Sequence, residues 1–449
     1  MSEPPAVRVS SPRSLLTLTP NVAWATFGTV FNQGSTFASN LWIANLLGKS
    51  VFGEYAIVLT TVQATAAFAS LGVGYTATRY IAEWRHRDAV RAGQLLGLFS
   101  RISWIAAVVA AMLLGLSSVR LANSALHAPS LGTALLLASA SAVFMVRNGY
   151  LTGALTGLEA FRFLGMSGVF SGTVYLALTV GGAAVDGVRG AALGLGIGLA
   201  LQCATLTYAL HVERKRQGLA AGAATFTVER PLLMRFAVPA ALSGFSTVPV
   251  LWAVQALLAR SPKAFGEVAV YSAGLNLLAM VLFAPAIVNG LAMASINRTS
   301  VIEGHAAYRS ALRTNVAATF IIVVFGLLVM ALIGPTLLGL FGRDFRSGYV
   351  PLLLLLGAAL PEALTNALNQ SLQQRERIWH SFFAINIPRD VAIVTVAYWL
   401  VPKYGATGAA TAYLAGRIIA LGAMYLLVRD EVSTSGVSVA TLAATASVD

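Results

Sequence analysis

Four arginines, Arg101, Arg147, Arg389 and Arg417, fall inside long apolar runs. A cation held at the centre of a membrane helix costs about 2.5–3.5 kcal/mol on insertion scales, so each needs an acid, water or an anionic ligand. The guanidinium fork pairs bidentately with carboxylate and phosphate oxygens, which gives such residues a chemistry as well as a cost. Arg101 lies about two turns into its run, near enough to the surface for its head to snorkel to lipid headgroups. Arg389 follows Pro388 and precedes Asp390, although adjacent residues on a helix point to different sides. Arg147 and Arg417 have no acid within a turn or two of sequence. The clear intramembrane acids are Glu362 and Asp390, so the interior is balanced towards positive charge. That balance suits an anionic substrate, phosphate above all.

Uncharged polar residues add stripes to this pattern. After Pro361, which is expected to break the hydrogen-bond ladder, Glu362, Asn366, Asn369, Gln370 and Gln373 recur at helical spacing. A second stripe, Thr29, Asn32, Gln33, Thr36 and Asn40, lies in the first apolar run; Gln63 and Asn276 lie in others. A single Asn or Thr in such a place most often serves interhelical hydrogen bonding. For the stripe that carries a carboxylate, a cavity lining is the better reading. The candidate substrate contacts are therefore the four arginines with Asn32, Gln33, Gln63, Glu362, Asn366, Asn369 and Gln370.

The elements that must hold these residues are membrane helices. Hydrophobic residues make up 57% of the 449 and charged residues 10%, too few to cover a water-soluble surface of that size. A helical span takes about 20 residues, and many runs are long enough. Six are placed at 21–46, 54–74, 93–116, 131–155, 164–184 and 191–212, and six more at 232–258, 266–288, 312–332, 350–373, 382–401 and 405–428. The fold expected is all-α and polytopic, with about 12 spans in two pseudo-symmetric lobes, 21–212 and 232–428. The 213–231 stretch, with Arg214-Lys215-Arg216, is the linker; 1–20 and 429–449 are tails, the latter small and polar enough from 433 onwards to be disordered. A basic amphipathic segment over 75–91 is expected at the headgroups.

A repeat supports the two halves. Phe52-Gly53-Glu54 returns as Phe265-Gly266-Glu267, and Gly190-Ala191-Ala192 as Gly408-Ala409-Ala410. Each Phe-Gly-Glu is expected to make the tight reversal between two spans. With the N-terminus inside, Lys and Arg number 18 on the inner side, 8 on the outer side and 4 within spans, all 30 of them. The excess puts both termini in the cytoplasm and relates the halves by an axis along the membrane normal.

Several function classes are excluded or disfavoured. There is no HExxH, P-loop, supported GxSxG or Cys/His cluster, so neither an enzyme nor a metal or other cofactor is expected. Cys203 stands alone in an apolar run. The net charge of +13 falls mostly in short loops and gives no soluble basic domain, so nucleic acid is not an expected partner.

The stretch 48–57 (GKSVFGEYAI), then Leu71-Gly72-Val73-Gly74 and Arg79-Tyr80-Ile81-Ala82-Glu83, resembles the first hairpin of bacterial polysaccharide exporters. These are lipid-linked oligosaccharide flippases of the O-antigen type. They belong to the superfamily (MOP) that also holds the multidrug and toxin extrusion (MATE) transporters. In the second half, 342–355 (GRDFRSGYVPLLLL) and 402–410 (PKYGATGAA) are similar too. The resemblance runs from about residue 21 to 429 and implies a MATE-like two-lobe transporter with a central cavity and alternating access. It implies flipping of a polyprenyl-pyrophosphate-linked oligosaccharide across the bacterial cytoplasmic (inner) membrane for surface polysaccharide. It implies membrane lipids as partners and admits a polysaccharide polymerase and export proteins. One departure is Pro388-Arg389-Asp390, where such exporters are usually uncharged.

Two alternatives stand beside it. A MATE-type multidrug or cation antiporter usually carries an acid in an early span of a lobe, and 21–46 and 232–258 have none. A membrane polysaccharide polymerase or ligase is expected to carry a sizeable outer loop, and the loops here are short.

Overall fold

The structure, a computed structural model, describes the backbone at residues 20–70, 72–219, 247–261, 264–302, 304–374 and 382–445. Side chains are described over the same residues except 20–22, 264, 290–309, 370–374 and 428–445. Among the described residues every regular element is helical. In chain order they are α1 Pro20–Leu47, α2 Lys49–Ala69, α3 Val73–Trp84, α4 Ala89–Arg120, α5 Gly132–Gly157 and α6 Phe161–Arg216. The second half holds α7 Val248–Ala259, α8 Ala264–Ile302, α9 Gly304–Phe341, α10 Tyr349–Gln374 and α11 Ile387–Thr445.

Eight of the described helical stretches are long and apolar enough to cross a membrane. Two of them, α6 and α11, are each two spans joined at a break, and α1 and α7 complete a set of about twelve. The outward faces are apolar: Leu116, Val185 and Leu332 are all more than four-fifths exposed. Lipid is the solvent that tolerates such a surface, and the chain is a multi-pass membrane protein.

The duplication is written into the backbone. Gly187 breaks α6 at φ 53, ψ −131, and Gly405 breaks α11 at φ 53, ψ −130. A left-handed φ is open to glycine at little cost, so each Gly supplies the reversal between two spans. Three residues on, Gly190 packs on the carbonyl of Gly182 and Gly408 on that of Leu400, closing each hairpin by the same move.

Phe-Gly-Glu has a different role from the one expected. The first reversal lies at Gly48, with φ 80, and α2 is already helical through Phe52-Gly53-Glu54. The missing Cβ of Gly53 is used instead for packing, because the backbone of Phe265 from the other lobe lies against it. Glu267, the acid of the second copy, caps α11 where it restarts: its Oε2 accepts the Ala406 N–H at 2.8 Å. A carboxylate is favourable there because the first N–H groups of a helix lack intrahelical partners.

Other expectations shift by smaller amounts. The amphipathic segment is a separate helix, α3, entered through Gly72 in the left-handed region. Pro361 does not break its helix; α10 runs through it, and Thr365 donates its hydroxyl to the Pro361 carbonyl at 2.7 Å. The helix α11 continues to Thr445, past 433, where a disordered tail was expected. That stretch holds no proline, the residue that most strongly breaks a helix already started. Residues 1–19, most of the 213–231 linker, the first part of the 232–258 span and the side chains of Gln370 and Gln373 lie outside the described residues.

Candidate functional site

The lobes pack mainly through α2 against α7 and α8, while α1 and α8 stand apart. A cavity of about 190 Å³ lies between them, lined by Val30, Gln33, Gly34, Thr36 and Phe37 on one side and Asn276, Met280 and Phe283 on the other. Its position follows from the two faces of α1. Ser35 and Ser39 are buried, and Ser39 bonds Thr179 of α6 at 2.6 Å, while Gln33 and Gly34 are turned away from that packing and exposed. At one end of the cavity Asn40 donates its amide N–H to Asn276 Oδ1 at 3.2 Å, a direct polar bridge between lobes. Among the described residues, no ionisable side chain lines the cavity.

Beyond that bridge the lobes are sealed. Phe37 and Phe52 stack with Phe341, and Phe52 also with Phe345, at centroid distances of 5.7–6.1 Å. Asn45 donates to the Leu340 carbonyl. Two cations then cross in opposite directions. Lys49 of the first lobe donates to the Asp344 carbonyl, just past α9, at 3.2 Å. Arg260 of the second lobe donates to the carbonyls of Ser124 and Ala125, just past α4, at 3.1 and 2.8 Å. Each lobe thus sends one cation to the carbonyl-rich end of the other lobe's corresponding helix, where a positive charge is favoured.

Arg147 is buried inside the first lobe. Its Nη1 donates to Ser103 Oγ at 2.6 Å and to the Ser100 carbonyl at 3.2 Å, both on α4. The guanidinium carbon lies 5.0 Å from the Trp104 ring centre and 4.8 Å from that of Tyr150. Aromatic faces attract a cation but do not neutralise it. The Nε is buried with no hydrogen-bond partner among the described residues. A polar chain starts next door: Asn148 donates to Gln202, Gln202 to Ser171, and Ser171 to Asn32 of α1, at 3.1, 3.4 and 3.3 Å. It leads back to the helix that lines the cavity.

Arg417 has what Arg147 lacks. Its Nη2 pairs with Glu362 Oε1 at 2.9 Å and donates to the Tyr413 hydroxyl at 2.7 Å. Tyr413 in turn donates to Glu362 Oε2 at 2.8 Å. The acid absent from the sequence neighbourhood of Arg417 is supplied by α10. Arg389 and Asp390 also pair, Nε to Oδ1 at 2.8 Å, both largely buried. Helical geometry alone argued against that contact, but the pair lies in the first turn of α11, directly after the π-helical turn Phe382–Asn386.

The structure therefore separates the candidate residues. Gln33 lines the inter-lobe cavity, and Asn32 lies beside it on the polar chain. Arg147 is in the first lobe, and Glu362 with Arg417 in the second. Arg101 and Asn366 are exposed, and Gln63 and Asn369 are half-buried. Residues the sequence reading passed over include Tyr413, Ser103, Trp104 and Gln202. Gln202 carries the same mark as Gln63, an amide inside an apolar run, whereas Tyr413, Ser103 and Trp104 take their roles from Glu362 and Arg147 on neighbouring helices.

No protein-family model matches the chain, and neither does any curated protein. Solved structures do match. An inward-facing multidrug-resistance MATE transporter of the MOP superfamily superposes with a TM-score of 0.70 at 16% identity, over 90% of this chain and 95% of that one. A eukaryotic MATE transporter gives 0.71 at 15%, over 91% and 94%. A MOP-superfamily transporter from Pyrococcus furiosus, described as having a binding pocket of reverse polarity, gives 0.68 at 17%, over 95% and 99%. The fold is that of MATE transporters across nearly the whole chain.

Proposed function

We propose that this protein is a transporter that flips a polyprenyl-pyrophosphate-linked oligosaccharide from the inner to the outer leaflet of a bacterial cytoplasmic membrane. It works by alternating access between its two lobes, without a resident cofactor. The observation that carries this reading is the charge of the interior. Among the described residues no carboxylate lines the inter-lobe cavity, and the two acids that the sequence places within spans of the second lobe, Glu362 and Asp390, are engaged by arginines. A cationic drug would find no free acid in either place, whereas Arg147 offers a buried positive charge to a pyrophosphate. The sealed end carries Lys49, Arg260 and Arg343, the side with fewer cations, so on the positive-inside rule the lobes are closed towards the outside.

The fold serves a multidrug antiporter equally well, so the substrate is what must be tested. Cells lacking the gene should lose surface polysaccharide, regain it with the wild-type chain and show unchanged resistance to cationic dyes. Altered dye resistance with normal polysaccharide would favour the antiporter.

A further inference from the structure

Among the described residues, the lining of the cavity between α1 and α8 is neutral, and suits a part of the substrate other than the pyrophosphate. We infer that it is a carbohydrate subsite, taking an uncharged sugar ring of the lipid-linked oligosaccharide while the phosphates lie elsewhere. The inference rests on the flippase reading and specifies how the work is divided within it.

Three features point to a sugar. The first is the choice of polar groups. Gln33 forms no hydrogen bond among the described residues and is exposed to the cavity, so its amide offers both donors and acceptor. Asn276 uses its carbonyl on Asn40 and keeps its NH₂ as a donor. Thr36 gives its proton to the Asn32 carbonyl and keeps lone pairs to accept. Sugar hydroxyls donate and accept at once, and a mixed set of neutral amides and a hydroxyl answers them without charge.

The second feature is the walls. Phe37 and Phe283, with Met280 and Val30, provide apolar surface on both lobes. A pyranose has C–H faces that pack on aromatic rings and hydroxyl edges that meet amides. The third is size. About 190 Å³ is below the ~300–1,000 Å³ of a site for a drug-sized ligand, which fits one ring of a chain and not the whole oligosaccharide. Because the walls come from both lobes, a ring seated there touches both sides of the seam that must open.

The test uses purified protein in nanodiscs and three probes: farnesyl pyrophosphate, the same lipid carrying an N-acetylhexosamine disaccharide, and tetraphenylphosphonium. The wild type should bind the sugar-bearing probe roughly tenfold more tightly than bare farnesyl pyrophosphate, the return on about two net hydrogen bonds. Gln33→Leu should shrink that gap severalfold, and Gln33→Leu with Asn276→Leu should abolish it while leaving farnesyl pyrophosphate affinity unchanged. Since Gln33 is exposed and forms no described hydrogen bond, its single variant keeps the test valid if the double variant folds poorly. A gap that persists in Gln33→Leu, or no gap in the wild type while farnesyl pyrophosphate still binds, overturns the subsite and leaves the flippase reading standing. Binding of tetraphenylphosphonium alone overturns both.

Discussion

Gly53 sits directly against the backbone carbonyl of Phe265, with no room for a methyl group between them. The two residues belong to the two copies of Phe-Gly-Glu, so the repeated motif meets itself across the lobe interface. Gly53→Val should force α2 and α8 apart, at a cost of about 1–3 kcal/mol to the sealed end. Cysteines at Lys49 and Ser347, whose side chains meet at 3.3 Å, report the seal. A short bis-maleimide should link them efficiently in a Cys203→Ala background and severalfold less in Gly53→Val. The linked protein should also stop transporting, since the seam can no longer open. Full activity after complete linkage would show that the seam does not cycle.

Orientation gives a second expected outcome. An impermeant thiol reagent applied to intact cells should label Lys49→Cys and leave Lys215→Cys untouched, as the asymmetry of Lys and Arg requires. The reverse pattern would invert the topology.

The Glu362–Arg417 pair is buried, and removing one partner strands the other. Glu362→Gln or Arg417→Met alone should lower stability by roughly 3–5 kcal/mol, whereas Glu362→Gln with Arg417→Met should recover much of it. Thermal unfolding of the purified variants measures this. If the double variant is as unstable as the singles combined, the pair is not acting as a unit.

Arg147 should behave in the opposite way. Its described hydrogen bonds go to neutral oxygens, so Arg147→Ala strands no acid, and its cost in thermal stability is the lost packing on Trp104 and Tyr150 and not an uncompensated charge. Its loss should weaken pyrophosphate binding about tenfold to a hundredfold, the value of one charge-assisted contact of ~1.5–3 kcal/mol. Lysine keeps the charge but not the planar fork, so Arg147→Lys should retain part of the binding. Binding of farnesyl pyrophosphate to each variant separates these outcomes, and unchanged affinity in Arg147→Ala would remove it from the site.

Much of the scaffold was legible because membrane helices announce themselves one at a time. Apolar runs of sufficient length, and Gly190-Ala191-Ala192 returning as Gly408-Ala409-Ala410, are local signals. What the sequence did not disclose depends on pairs of helices. Glu362 and Arg417 are 55 positions apart, and nothing local says that α10 delivers the acid to the arginine. The role of Gly53 was misjudged for the same reason: a glycine in a turn and a glycine under a neighbouring backbone look alike until the neighbour is known. Gln33 was legible as part of a polar stripe, but its separation from Ser39, which packs inwards on Thr179, needed α6 of the same lobe in view.

The claim that matters most is the substrate, and proteoliposomes test it directly. Purified protein is reconstituted with a fluorescent polyprenyl-pyrophosphate disaccharide in both leaflets, and a membrane-impermeant quencher reads the outer pool over time. The account predicts that the inner pool becomes quenchable with the wild-type protein and not with Arg147→Ala, while a cationic dye trapped inside stays there. Release of the dye with no movement of the lipid-linked sugar would contradict it.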